Sequence, residues 1–265
     1  MTPGQRAEAR IAELGIRDPK ELDVEAIAFD AGVAVRYEPL VGCEATLVGR
    51  GRRAIATIRN SPVRGRERFS IGHELGHWEM HRGRSFRCGV DEPALNLESN
   101  VTLEREADEF SSHLLMPKPL FNPAVLSFRW PTIAQLQEVA EIFQTSQSAT
   151  LIRLAKVDTF PVIVASYSRQ RLWYCAAPHV PRRWRLKAAL DEDSFAHELL
   201  ARGTQSSTPR KQSADAWFEN DDADEYELLE QCVPGMPGKI LVVLYLSDAG
   251  MFDVDHDPDV RWRAR

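Results

Sequence analysis

Residues 66–82 read RERFSIGHELGHWEMHR, and inside them His73-Glu74-Leu75-Gly76-His77 sets two imidazoles four residues apart around a glutamate. On an α-helix, positions i and i+4 share a face, so both rings can reach one ion. Glu74 falls about 100° round the helix from His73, where a carboxylate addresses an activated water rather than the metal itself. This is the HExxH pattern. Zinc in such a site lowers the pKa of its water to roughly 7, and a nearby carboxylate takes the proton. The bland alternative is an amphipathic helix with surface histidines. Gly72 and Gly76 count against it, because each costs on the order of 1 kcal/mol of helix propensity. That cost makes sense where another backbone or a substrate approaches closely.

A two-histidine zinc site commonly takes a glutamate from a following helix and keeps one position open. The candidate lies in Glu104-Arg105-Glu106-Ala107-Asp108. Glu104 and Asp108, four apart, share a face. Glu104 is the expected ligand, and Asp108 is the expected acceptor for the ring N–H of a ligating histidine. Glu106 is the competing ligand, disfavoured by helical phase; it and Glu109 read as solvated charges.

The flanking chain organises around these segments. Gly4–Gly15 carries an apolar helical stripe, and Asp23 opens a short helix that ends at Gly32. VAVRYEPL, ATLVGR and RAIATIRN are β-type runs, the last two joined as a hairpin near Gly49 and Gly51. Cys88–Asn100 reads as a loop and Leu103–Met116 as a helix stopped by Pro117 and Pro119. After a further loop, Thr132 and Gln135 form a capping-box pattern ahead of TIAQLQEVAEIFQ, and SQSATLIRLAKV supplies a second short helix. Composition changes near Asp158. FPVIVASYS and RLWYCAAP are expected to pair as strands, and KILVVLYLSD is a third. Between them lie a helical 182–203, a polar loop and the acidic run ENDDADEYELLEQ. The expectation is an α+β protein with two parts: a zincin-like domain over 1–157, holding a helical pair at 132–157, and a smaller mixed α/β region over 158–265.

The chain is long enough for one large domain or two ordinary ones, with 43% hydrophobic residues to build a core. No apolar run approaches the roughly 20 residues that cross a bilayer, and the first residues lack a signal-peptide centre. A cytoplasmic protein without a membrane partner is the expectation. The cysteines Cys43, Cys88, Cys175 and Cys232 form no CxxC pair, which excludes a cysteine zinc ribbon and fits a reducing compartment. A net charge of −6 gives no global attraction to nucleic acid but leaves room for a basic patch.

RERFSIGHELGHWEMHR followed by EREADEFSSHLLMP closely resembles the ImmA/IrrE family of metallopeptidases, whose pattern runs from an RRFT-like lead into HELGH and then ExxAN-x-FA-x-x-LLMP. Ser70, Asp108 and Ser111 depart mildly from that pattern, and none of the three is a ligand or the base. The resemblance covers roughly residues 5 to 157. It implies that Glu104 is the third zinc ligand, in agreement with helical phase, and that 132–157 is a helix-turn-helix-like segment. It further implies a substrate class, helix-turn-helix repressors, whose cleavage relieves repression in stress responses. The alternative is a metal-containing module that docks a transcription factor without cleaving it.

Four other features carry second readings. His81 continues the i, i+4 series but has drifted by about 80° from His73, which suits an outer position better than a ligand. His113 is either an auxiliary group for the oxyanion or a packing residue. Arg87-Cys88-Gly89-Val90-Asp91 locally resembles the cysteine switch of matrix metalloproteinases. Cys88 is thus either a thiolate that reaches the zinc or an ordinary loop cysteine. Direct DNA binding has thin support, since the second short helix carries only Arg153 and Lys156. Arg50, Arg52, Arg53, Arg59, Arg64, Arg66 and Arg68 are more concentrated, either a guarded hairpin edge or a surface for an acidic partner or nucleic acid.

Overall fold

The computed structural model describes residues 1–82, 86–89, 97–168, 171–203, 206–235 and 238–252, with only the backbone of 86–89, 97–100 and 171. The chain packs as two units: residues 1–124 with 138–150, and residues 125–137 with 151–265.

In the first unit, Thr2 and Gln5 cap each other reciprocally to start α1 (Pro3–Glu13), whose buried stripe includes Ala7 and Ile11. Asp23 starts α2 (Val24–Asp30) by accepting from the amides of Glu25 and Ala26. Strands β1 (Val33–Glu38), β2 (Cys43–Arg50), β3 (Arg53–Arg59) and β4 (Phe86–Gly89) form one sheet in the order β1-β3-β2-β4. The expected hairpin is β2 with β3: Arg50 stands opposite Arg53, and Gly51 turns the chain at φ +63°. β1 joins β3 in parallel. Successive residues face opposite sides, so Leu47, Ala54, Ala56 and Ile58 are buried while Val48 and Ile55 are exposed.

Two long helices follow, α3 (Arg64–Met80) and α4 (Leu97–Leu115). They approach closely because α3 lacks side chains at two points. A Cβ on Gly76 would lie 3.1 Å from both Ala107 Cα and Phe110 Cβ, and one on Gly72 would lie 2.6 Å from Ser111 Oγ. The glycines therefore serve the approach of another backbone, with Ser111 donating its hydroxyl to the Phe69 carbonyl at 2.9 Å. Gly76→Val is expected to lower unfolding free energy by about 1–3 kcal/mol, read by urea denaturation, through overpacking at this contact. A midpoint equal to wild type would contradict the close packing.

α5 (Lys118–Leu126) occupies a stretch read as a loop. Pro119 sits in its first turn, where the missing N–H has no intrahelical acceptor anyway, and Phe121 and Val125 bury a face. α6 (Ile133–Phe143) begins with the expected capping box: the Thr132 amide donates to Gln135 Oε1 at 2.9 Å, and the Gln135 amide to Thr132 Oγ1 at 3.1 Å. α7 (Gln147–Lys156) completes the helical pair. At the turn between them, the Thr145 hydroxyl lies 2.9 Å from that of Thr150 and 3.7 Å from the sulfur of buried Met116.

The second unit holds an antiparallel sheet in the order β6-β5-β9-β8-β7. Its strands are β5 (Val162–Ser168), β6 (Arg171–Ala176), β7 (Arg210–Ser213), β8 (Glu227–Pro234) and β9 (Lys239–Tyr245). β5 and β6 pair as expected. Helix α8 covers only Phe195–Arg202 of the expected helix over 182–203. It starts late because Ser194 caps it and the buried Glu230 accepts from the amides of Phe195 and Ala196. Ahead of it, Leu186 bridges to Phe218 instead. The acidic run is in part β8, where Leu228 is buried and Glu227 exposed. No described helix is long and apolar enough to cross a membrane.

Candidate metal centre

His73 and His77 project from α3, and Glu104 from α4, so the close packing of these two helices brings the three together. His73 Nε2 lies 3.1 Å from His77 Nε2 and 3.1 Å from Glu104 Oε2, and His77 Nε2 lies 3.4 Å from Glu104 Oε1. Ligands placed tetrahedrally at about 2.0–2.1 Å from zinc stand roughly 3.3 Å apart. The donor separations and the two-nitrogen, one-oxygen donor set therefore fit a metal ion of that size. Among the described residues, this is the group of histidines, cysteines and acids able to share an ion.

The partners behind the imidazoles fix which nitrogen faces inward. His73 Nδ1 lies 2.9 Å from Asp108 Oδ1, as helical phase implied. A carboxylate only accepts, so Nδ1 carries the proton and Nε2 turns to the triad. His77 is held through a longer chain. His81 Nε2 lies 2.7 Å from Glu106 Oε2, and His81 Nδ1 lies 3.1 Å from His77 Nδ1. Glu106 accepts the Nε2 proton of His81, which leaves His81 Nδ1 to accept from His77 Nδ1 and frees His77 Nε2 for the triad. His81 lies outside the group of His73, His77 and Glu104, and the reading of Glu106 as a solvated charge missed its contact with His81. Glu109 also has a partner, accepting from the Gly4 amide at 3.2 Å. The signal for Glu106 was its distance from His81 across two helices, which spacing within either helix does not give.

His81→Ala is expected to weaken zinc binding by about 10- to 100-fold, measured by chelator competition, because outer partners of ligating histidines carry effects of that size. An unchanged zinc affinity would show that the chain through Glu106 has no influence on His77.

Electrostatics at the triad favour a cation. Burial opposes ionisation of Glu104, but its close contacts with His73 and His77 hold its pKa down at about 2. Burial also disfavours a charged His73, yet Asp108 and Glu104 outweigh it and raise its pKa to about 9. His77, buried and beside another imidazole, is shifted down. An imidazolium cannot ligate a metal, so metal uptake and proton release are coupled here. Glu74 is fully buried on α3, beside the first histidine in sequence.

His113 belongs to a different contact. Its Nδ1 lies 2.9 Å from Glu8 Oε1, and its ring packs over Gly4 of α1. The structure thus engages it with the first helix. Cys88 lies on β4 with its backbone opposite Ala45, and its side chain falls outside the described residues.

Residues 28–155 match the family model of the M78 peptidases, described as the IrrE N-terminal-like domain. No curated protein sequence matches the chain. Among solved structures, a transcriptional regulator from Mycobacterium tuberculosis superposes with a TM-score of 0.61 at 13% identity, covering 95% of this chain and 90% of its own. Identity that low carries the fold alone.

Proposed function

We propose, from the match of residues 28–155 to the IrrE N-terminal-like domain of the M78 peptidases, that this chain is a zinc-dependent endopeptidase. The observation that supports it best is the joint placement of His73, His77 and Glu104, with ligand atoms all within 4.8 Å of one another. In this reading those three residues hold zinc, which when bound supplies a Lewis acid for activating water and polarising a scissile carbonyl.

The remaining roles belong to the chain itself. Glu74 is the general base: its carboxylate takes a proton from the attacking water and returns it to the leaving amine. Burial of Glu74 keeps that carboxylate out of bulk water and restricts its motion. Asp108 positions His73, and His81 with Glu106 positions His77. The peptidase domain is taken as residues 1–157, with the helical pair 132–157 as its helix-turn-helix-like end and 158–265 as an accessory region. The protein is read as cytoplasmic.

The substrate read from family likeness is a helix-turn-helix transcriptional repressor, cut to relieve repression. The competing reading, a zinc-holding module that docks such a regulator intact, would have no use for a buried glutamate at position 74. The test incubates purified chain with a candidate helix-turn-helix repressor from the same organism and maps fragments by mass spectrometry, with and without chelator. Discrete chelator-sensitive cuts are expected. A repressor that binds and survives intact favours the docking module.

A further inference from the structure

The arginines at the β2–β3 turn are not explained by the metal centre. Charge on an edge strand guards against unwanted strand pairing, and sequence alone allowed that reading. In the fold, however, β2 and β3 are the two inner strands, each hydrogen-bonded on both sides. They have no edge to guard. Yet Arg50, Arg52 and Arg53 gather at their turn, and none of the three forms an ion pair among the described residues. Asp30, two residues before the Gly32 that packs against Arg52, is already engaged with Arg10 at 2.6 Å.

The surface beside these arginines is apolar. Ala34, Ile55 and Val48 stand side by side across three strands on the face away from the core. Val48 is 64% exposed, Ile55 36%, and Phe29 of α2, at their margin, 77%. Together with the arginines they line a concavity of about 640 Å³. Scattered exposed apolar residues need no explanation, but a contiguous apolar floor rimmed by charge of one sign marks a binding surface.

We infer that this outer face of the sheet docks an acidic peptide segment of a partner protein, one with an apolar anchor beside a run of carboxylates. The anchor covers Val48, Ile55 and Phe29. The carboxylates meet guanidinium groups, whose planar forks match them better than lysine would. Single-stranded nucleic acid is the less suited polyanion, because it needs a phosphate track with aromatic stacking platforms, and Phe29 is the single ring among the described lining residues. The inference concerns binding alone and stands whether or not the chain cleaves its partner.

The probe is a fluorescein-labelled octapeptide of leucine, phenylalanine and leucine followed by glutamates, titrated with the full chain by fluorescence anisotropy. Binding with a Kd on the order of micromolar is expected. The Arg50→Glu/Arg53→Glu double variant is expected to weaken it by at least about tenfold, and Val48→Ser/Ile55→Ser by about fivefold. Both variants change exposed residues, and circular dichroism and zinc content confirm that each is folded. A peptide with lysines in place of the glutamates is expected not to bind. The proposal is overturned by no binding at about 1 mM peptide, by variants that bind as wild type does, or by tighter, arginine-dependent capture of a labelled octanucleotide. A concentration-dependent dimer abolished by Val48→Ser would likewise overturn it, assigning the face to a second copy of the chain.

Discussion

Glu74→Gln is expected to keep its zinc, its fold and its affinity for substrate while losing about 10²- to 10⁴-fold in cleavage rate. The glutamine side chain is nearly isosteric, so the packing between α3 and its neighbours is preserved around a position that is fully buried. What changes is chemical: a neutral amide cannot accept the proton that attacking water must lose. A loss of this size with unchanged zinc content isolates the base from the metal. Near wild-type cleavage by this variant would remove Glu74 from the mechanism.

The second large effect is on the metal. Glu104→Ala removes one of three donors and the carboxylate that lies within 3.1 Å of His73 and 3.4 Å of His77. Loss of an outer partner costs about 10- to 100-fold in affinity, so removal of a direct ligand is expected to cost more than about 100-fold. Zinc content after gel filtration should fall from one per chain to a small fraction of that. His73→Ala and His77→Ala are expected to behave alike. Glu106→Gln is the informative control, because it leaves all three donors and touches only the support of His77 through His81. Its loss should be modest. Full zinc retention by Glu104→Ala would overturn the assignment of the third ligand.

Much of this centre was legible in the chain because its parts repeat at helical spacing. The i, i+4 pairs His73–His77 and Glu104–Asp108 each share a helix face, and once both faces are known the two helices have one way to meet over an ion. The glycines at 72 and 76 pointed to the same contact from the cost of placing them in a helix. The pairing of Glu106 with His81 escaped notice because the two come from different helical segments, and pairing between helices leaves no period in the sequence. β4 and the first turn of α4 were missed for a related reason. Phe86–Gly89 is too short to show alternation and is a strand only because β2 pairs with it. α5 was hidden by Pro119 and Pro123, and burial of Phe121 and Val125 overrides the breaker signal. In the second unit, Glu230 is part of what starts α8 at Phe195, a long-range carboxylate cap that no local pattern announces.

The metal-restoration experiment bears most directly on the central claim. Zinc is stripped from the wild-type chain with chelator and returned in steps, and each sample is assayed for both bound zinc and cleavage of the repressor. Cleavage is expected to vanish on stripping and to rise in proportion to zinc, saturating at one ion per chain. Cleavage that persists without metal, or a bound repressor left intact at full zinc occupancy, would contradict the account.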